Sequence, residues 1–592
     1  MRSIFIRSAE LGSPFTDHPV LSLRDNMQEA ASKAVAAAGL VEEDIDALYV
    51  AAMGSFTQEH FLGALPLWLA GQLGLRRAYL APMLSGSSET GAWALRSAFE
   101  VMRRGDRRSR HVLVVAGEQM NALPDSAPRT PEARFEERRA RNMTISQVVD
   151  ELDRLYGLNM LRLSDLIMDT LAQADGLGRD ALRDIVLPFI ALEKYARVKR
   201  YPYGQFAAKA PLRGPDGPLA AYLARPPLTP YFRLDDVAPT TSGAVAVVLS
   251  ASPTATQRPL QILGMGQGFV PSSIMWRRGS AWRSRAIRDA LRGACEDAQV
   301  SPEWMLSCDF ALIHDAFPAI EYFFLRELGL KPEEIIRRMI SGWSNPLGGL
   351  RACGHALGAS GLLQVAKAFH LIQQDPRYVT DADLSGISPF PGDLGAPPYT
   401  RCFTTSVGGA LTNVLATILW SPPDVAPGEA QPTPPPQPLQ PPQPTQGRVI
   451  ERPPSVELPT MRGLRAQVTP LDVACEGQVL AGTRLHYSAT FGDDARPMFG
   501  DVRDPWVYLV ALDPDPARAT ALDRTLAYAP QPYHAGDRVA LEPMRFPGQP
   551  VPCMKVASLL AASPPSPAPS GLSDAFLADL RARLMERYGS AP

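Results

Sequence analysis

The sequence predicts a pseudo-duplicated α/β unit over residues 1–421, a proline-rich connection, and a small β-domain after it. Three observations carry this reading. First, residues 422–459 hold 14 prolines and almost no aliphatic periodicity. Such a stretch buries no core and reads as an extended linker. Second, the part before it repeats itself. A small-residue helix and strand (EAASKAVAAAGL, then IDALYV) recur as RDALRGACEDAQV and CDFALI, with Ala38 and Ala298 equivalent at an offset of 260. Continuous apolar strands such as HVLVVAG (111–117) suit sheets covered by helices on both faces. Third, residues 460–562 alternate apolar and polar positions between Gly- and Asp-rich turns, as an antiparallel barrel does.

The elements follow in order. Residues 1–257 and 258–421 form the two halves, and 422–459 the linker. Residues 460–562 form the β-domain, and 563–592 a Pro/Ser segment with a last helix. In that helix Leu572, Phe576, Leu577, Leu580, Leu584 and Met585 recur at helical spacing, with Ser573 as N-cap and Gly589 as stop. A helix this short is marginal alone, so its stripe packs on the chain's own body or on a partner. The near-neutral charge favours the first.

Composition narrows the classes. A hydrophobic content of 45% over 592 residues excludes a wholly disordered chain and is too much for one domain. A net charge of −2 excludes a global basic field for nucleic acid. No 18-residue apolar run and no apolar leader core is visible, so a cytoplasmic chain is expected. The cysteines at 295, 308, 353, 402, 475 and 553 form no CxxC pair, so no metal is expected.

Four segments carry chemistry-bearing residues. Leu84-Ser85-Gly86-Ser87-Ser88-Glu89-Thr90-Gly91 puts hydroxyls just before an amphipathic helix. They sit there beside free N–H groups, or they simply cap the helix. His314-Asp315-Ala316-Phe317 follows a strand, where open α/β folds keep their sites; a satisfied strand-end histidine is the plainer reading. Asn345-Pro346-Leu347-Gly348-Gly349 precedes Gly354-His355-Ala356-Leu357-Gly358-Ala359-Ser360-Gly361, where glycines crowd one histidine placed as a base. Ser406-Val407-Gly408-Gly409-Ala410 is a glycine turn whose N–H groups suit an oxyanion.

In this order the HDAF, NPLGG…GHALGASG and SVGGALTN motifs resemble the thiolase superfamily, particularly its SCP2-thiolase-like branch. The resemblance covers residues 1–421, with only a weak match at Arg200–Gln205. It implies the duplicated five-layered αβαβα thiolase fold and a homodimer. It implies His355 as the base that activates the nucleophile. His314 would help to bind the thioester oxygen, and the Gly408 N–H would contribute to an oxyanion hole. Asn345, Gly348, Gly349, Ser360 and Gly409 fall in the substrate-binding set. The family's reactive cysteine falls on Ser88, which is a departure, and Ser406 replaces a second cysteine. The β-domain looks like the OB-like domains of some thiolase-like proteins, with a lid or packing role.

Three functions follow from Ser88. It carries an acyl group as an oxyester, with His355 as base. Or the site runs retro-aldol chemistry without covalent acylation. Or the domain is a non-catalytic scaffold. The lead is Claisen-type acyl transfer or thiolysis on an acyl-CoA or acyl-carrier-protein thioester, with coenzyme A as part of the substrate and no separate cofactor. No nucleic acid partner is expected.

Overall fold

The computed structural model describes residues 2–17, 19–53, 64–105, 109–121, 130, 132, 148–150, 153–154, 156–209, 212, 214–254, 257–277, 283–380, 397–422, 475–484, 506–513, 524–544, 553–563 and 571–589. The linker at 423–459 lies outside them, as do residues 485–489 of the β-domain.

The first run of elements is β1 (Ile4–Leu11), α1 (Leu23–Ala37), β2 (Ala47–Ala51), α2 (Leu65–Gln72), β3 (Tyr79–Leu80), α3 (Thr90–Arg103), β4 (His111–Glu118), α4 (Met160–Asp175), α5 (Leu187–Arg197), α6 (Gly217–Leu223) and β5 (Gly243–Ser250). The second is β6 (Leu260–Phe269), α7 (Arg285–Ala298), α8 (Pro302–Leu306), β7 (Phe310–Leu312), α9 (Pro318–Glu327), α10 (Pro332–Ser341), α11 (Gly349–Cys353), α12 (Leu357–Gln373), β8 (Arg401–Gly408) and β9 (Asn413–Trp420). After the linker come β10 (Cys475–Arg484), β11 (Trp506–Leu512), β12 (Arg524–Ala529), β13 (Arg538–Met544), β14 (Cys553–Ala561) and α13 (Asp574–Tyr588).

The strands form one sheet in the order β3-β2-β4-β5-β1-β6-β9-β8-β7. The duplication is visible in this order. The sequence β2-β4-β5-β1 is matched by β7-β8-β9-β6, with the same directions. β2–β4 and β7–β8 are parallel, whereas β4–β5, β8–β9, β5–β1 and β9–β6 are antiparallel. Both faces are covered. On β4, Leu113 and Val115 face α1, while Val112, Val114 and Ala116 face α3 and α12. Every residue of α12 from Leu357 to Ile372 is buried, as a helix in a central layer must be. Opposite, α7 lies so close to β6 that a Cβ on Gly264, Gly266 or Gly268 would strike its backbone near Ala298, Ala294, Ala290 and Ala286.

The β-domain is a closed barrel of order β10-β11-β12-β14-β13, with β12–β14 parallel. That is the strand order of an OB-type barrel. It packs on the body through Ala481, Val507, Leu509, Leu526, Tyr528 and Cys553, against Tyr156, Leu163, Leu166, Ile274 and Ala410. Two buried carboxylates of α4 reach into it. Asp165 Oδ2 accepts from Thr483 Oγ1 at 2.8 Å, and Asp169 Oδ2 accepts from Gly482 N at 3.0 Å.

Burial pushes the Asp165 carboxyl up to about 7 despite donors from Thr229, Thr483 and Tyr231, with the Asp169 charge adding a little. The folded state therefore binds this proton more tightly than the unfolded chain does. Its contribution is complete below about 4 and is lost as pH rises through about 7. Asp165→Asn is expected to gain stability over wild type at pH 8 compared with pH 5, read by chemical denaturation. Parallel pH curves for the two proteins would refute this.

The last helix docks on its own body. Leu572, Phe576, Leu580 and Leu584 are buried, whereas Met585 is exposed. Ser573 caps the helix, accepting from Phe576 N, and donates to Glu333 at 2.7 Å. Arg587 pairs with the buried Glu193 at 2.8 Å, and Tyr588 donates to the same carboxylate.

Candidate active site

The two central helices start side by side, and each carries one site residue in the same place. Glu89 is the N-cap of α3 and Ser88 precedes it; Ala356 is the N-cap of α12 and His355 precedes it. Small residues bring these ends together. A Cβ on Gly91 would press on the Gly358 carbonyl at 2.8 Å, and one on Gly361 would meet Ala92 at 2.7 Å. Gly361 is thus required by α3, whereas a Cβ on Gly358 would strike Glu118 and the Met53 N–H.

Ser88 Oγ lies 3.2 Å from His355 Nε2, and His355 Nδ1 lies 2.7 Å from Ser360 Oγ. The imidazole is thus held on both sides. Its backbone is pinned as well, with its N donating to Pro239 O at 2.8 Å and its carbonyl accepting from Thr241 N at 3.1 Å. Gly354 has φ +93, and a Cβ there would meet Gln205 and Thr241; glycine is required. His314, just past β7, sets its ring edge-on to His355 with centroids 5.1 Å apart. Its backbone N–H donates to Thr405 Oγ1 at 2.9 Å. Its Nδ1 has no hydrogen-bond partner among the described residues.

Burial sets the charge state. It lowers His314 to about 3 and His355 well below its ordinary value, with neighbouring His314 adding to the second shift. Both imidazoles are neutral near pH 7. His355 therefore offers a lone pair without first losing a proton.

Among the described residues no side chain, Ser88 included, makes a cap bond to α3. The capping alternative for this serine cluster is replaced by a different set of bonds. Ser87 Oγ accepts from Gly409 N at 3.1 Å, and Ser406 Oγ donates to the Ser88 carbonyl at 3.4 Å. The SVGG turn is thereby stitched to the serine turn, and Gly408 lies against Glu89, whose carboxyl a Cβ would strike.

Asn345, Gly348 and Gly349 pack around a buried charge cluster. Lys194 Nζ lies 2.7 Å from Glu321 and 3.6 Å from Asp315; Arg351 lies 3.2 Å from Glu321 and 3.5 Å from Asp315. All four are at most 1% exposed. Asn345 Nδ2 and Ser344 Oγ donate to Glu321, and Leu350 N donates to Asp315. Gly349 packs on the Asp315 carboxylate, and Gly348 on the Lys194 carbonyl. The HDAF motif thus splits. His314 faces His355, while Asp315 anchors the NPLGG turn. Among the described residues no group of three ligating side chains could hold a metal, and no helix could cross a membrane.

A monomeric SCP2-thiolase like protein type 1 from Mycobacterium smegmatis superposes on 94% of this chain and 99% of its own, with TM-score 0.58 and 13% identity. The chain has the thiolase fold. No protein-family model matches it. In sequence this thiolase-fold chain is 26% identical over 372 residues to an acetyl-CoA acetyltransferase of Methanocaldococcus jannaschii, covering 60% of this chain and 86% of that one. It is 25% identical over 362 residues to the one from Methanothermobacter thermautotrophicus, covering 59% and 85%. The resemblance to the thiolase superfamily thus holds in fold and in sequence.

Sequence reasoning missed Ser87, Glu89 and Thr405, and it did not foresee the bond between Ser360 and the His355 imidazole. The missed signal was there for Glu89, a carboxylate in an otherwise small, hydroxyl-rich turn.

Proposed function

We propose that this chain is a thiolase-like acyltransferase that takes acyl groups from acyl-CoA thioesters, with Ser88 as the nucleophile. The observation that supports it is the alignment of Ser88 Oγ, His355 and Ser360 Oγ, a nucleophile, a base and an orienting group. The sequence similarity to acetyl-CoA acetyltransferases agrees with it. With Nδ1–H donated to Ser360, Nε2 accepts the Ser88 proton. A serine hydroxyl is not ionised near neutrality, so its reactivity depends on such a base. Ser88 also lies at the positive end of α3, which favours the anionic intermediate. Coenzyme A enters as part of the substrate.

Intact-protein mass after incubation with a panel of acyl-CoAs tests this. We expect one acyl adduct on wild type, located at Ser88, and none on Ser88→Ala. An alanine variant that still carries the adduct, or turns over fully, ends the serine reading.

A further inference from the structure

Each central helix begins at a corner that holds a buried carboxyl. At the start of α12 it is Glu118, from the end of β4. Its Oε2 accepts from Met53 N at 2.9 Å and from Gly358 N at 3.1 Å. At the start of α3 it is Glu89, the residue after Ser88. Its Oε1 accepts from Asn413 Nδ2 at 3.2 Å. Its Oε2 is buried and has no hydrogen-bond partner among the described residues. An unpartnered buried polar atom is destabilising and calls for an explanation.

The carboxyl is also aimed. Arg96 Nη1 donates to Gln267 Oε1 at 2.8 Å, Gln267 Nε2 donates to Asn413 Oδ1 at 2.8 Å, and Asn413 donates to Glu89. This directional chain holds Oε1 and leaves Oε2 at the seam between the serine turn and Gly408. Of the other acid–base candidates, His314 also has an Nδ1 unpartnered among the described residues, but burial lowers that imidazole to about 3 and leaves it a weak base. His355 serves Ser88, and the Ser406 hydroxyl donates to the Ser88 carbonyl.

We infer that Glu89 is the second acid–base group of this site, and that the partner of Oε2 is the α-proton of an acceptor acyl thioester. The inference rests on the acyltransferase reading above. In the first half, His355 Nε2 takes the Ser88 proton as Oγ forms the ester bond. The thioester C–S bond breaks, and the departing thiolate takes that proton. In the second half, the Glu89 carboxylate takes the α-proton of the acceptor. The carbanion forms a C–C bond with the ester carbonyl, and the Oγ–C bond breaks. The Ser88 alkoxide is reprotonated and Glu89 gives up the proton it took, so both return to their starting states. No oxidant or further reactant is needed. Burial raises the carboxyl above its ordinary value, against the backbone N–H groups of Glu89 and Ser87 and the Asn413 amide, which lower it. The titratable groups at this corner are His355, beyond Ser88, and His314 beside it; Arg96 reaches Glu89 only through two amides.

The test separates the α-proton from the acylation. Wild type and variants are incubated with acetyl-CoA in D2O. Deuterium entry into the acetyl group is followed by NMR, and the Ser88 adduct by mass. In Glu89→Gln the exchange rate is expected to fall by about 10² or more relative to the acylation rate. In Asn413→Leu the acid limb of the exchange profile is expected to move to higher pH, because the Asn413 donor lowers the Glu89 pKa. Exchange within tenfold of wild type in folded Glu89→Gln overturns the inference. So does a wild type that acylates Ser88 but exchanges no α-proton. Exchange that depends on Glu89 without any Ser88 adduct overturns the serine nucleophile and keeps the role of Glu89; no adduct and no exchange overturns both. If Glu89→Gln does not fold, an unmoved limb in Asn413→Leu decides against it.

Discussion

Asp315→Ala is expected to destabilise the chain by about 3–5 kcal/mol, the loss typical when one partner leaves a buried ion pair. The carboxylate lies between Lys194 and Arg351 and also holds the Leu350 N–H. Removing it leaves two buried cations with Glu321 as their one ion-pair partner among the described residues. Against a total stability of roughly 5–15 kcal/mol this is a large fraction. Chemical denaturation of the pure variant measures it. A loss under about 1 kcal/mol would mean that the cations find other partners. The expected defect is in folding, although Asp315 is next to His314 in sequence.

His355→Ala is expected to do the reverse. The rate of Ser88 acylation should fall by about 10²–10⁴, the usual worth of a positioned base, in a chain that still shows the wild-type circular dichroism spectrum. The imidazole is neutral and serves the reaction through Nε2, 3.2 Å from Ser88 Oγ. Acylation rates followed by mass give the answer. A folded variant that acylates within a few-fold of wild type would remove His355 from the chemistry.

The sequence spoke most clearly where a pattern repeats. The two helix–strand pairs at offset 260 are α1 with β2 and α7 with β7, and the strand pairings extend the repeat to the whole sheet. The stripe of the last helix was legible because Phe576, Leu580 and Leu584 follow one period, with Leu572 buried just before the N-cap and Met585 on the exposed side. The pairing of Ser88 with His355 could be expected only through family motifs, because residues 267 apart meet by tertiary packing alone. The charge cluster was illegible for a related reason. Glu321 sits singly in an apolar helical run and Lys194 follows Glu193 in another, and nothing local says that Lys194 and Glu321 face each other. The glycines of GMGQG had no meaning until the alanines of α7 were seen against them.

The return of the chain to its body after the barrel has a kinetic consequence. Ser563 N donates to Asp537 of the barrel at 2.8 Å, and Gly571 N donates to Gly176 of the body at 3.1 Å. Eight residues of chain span at most about 29 Å. A barrel that lets go of Asp165 and Asp169 while α13 stays docked therefore cannot diffuse away. It remains at an effective concentration in about the millimolar range, as a short tether imposes. Re-docking is then independent of protein concentration, and an interface built on two carboxylates and a small apolar patch suffices to keep the barrel seated beside Ala410, the residue next to the Gly408–Gly409 turn.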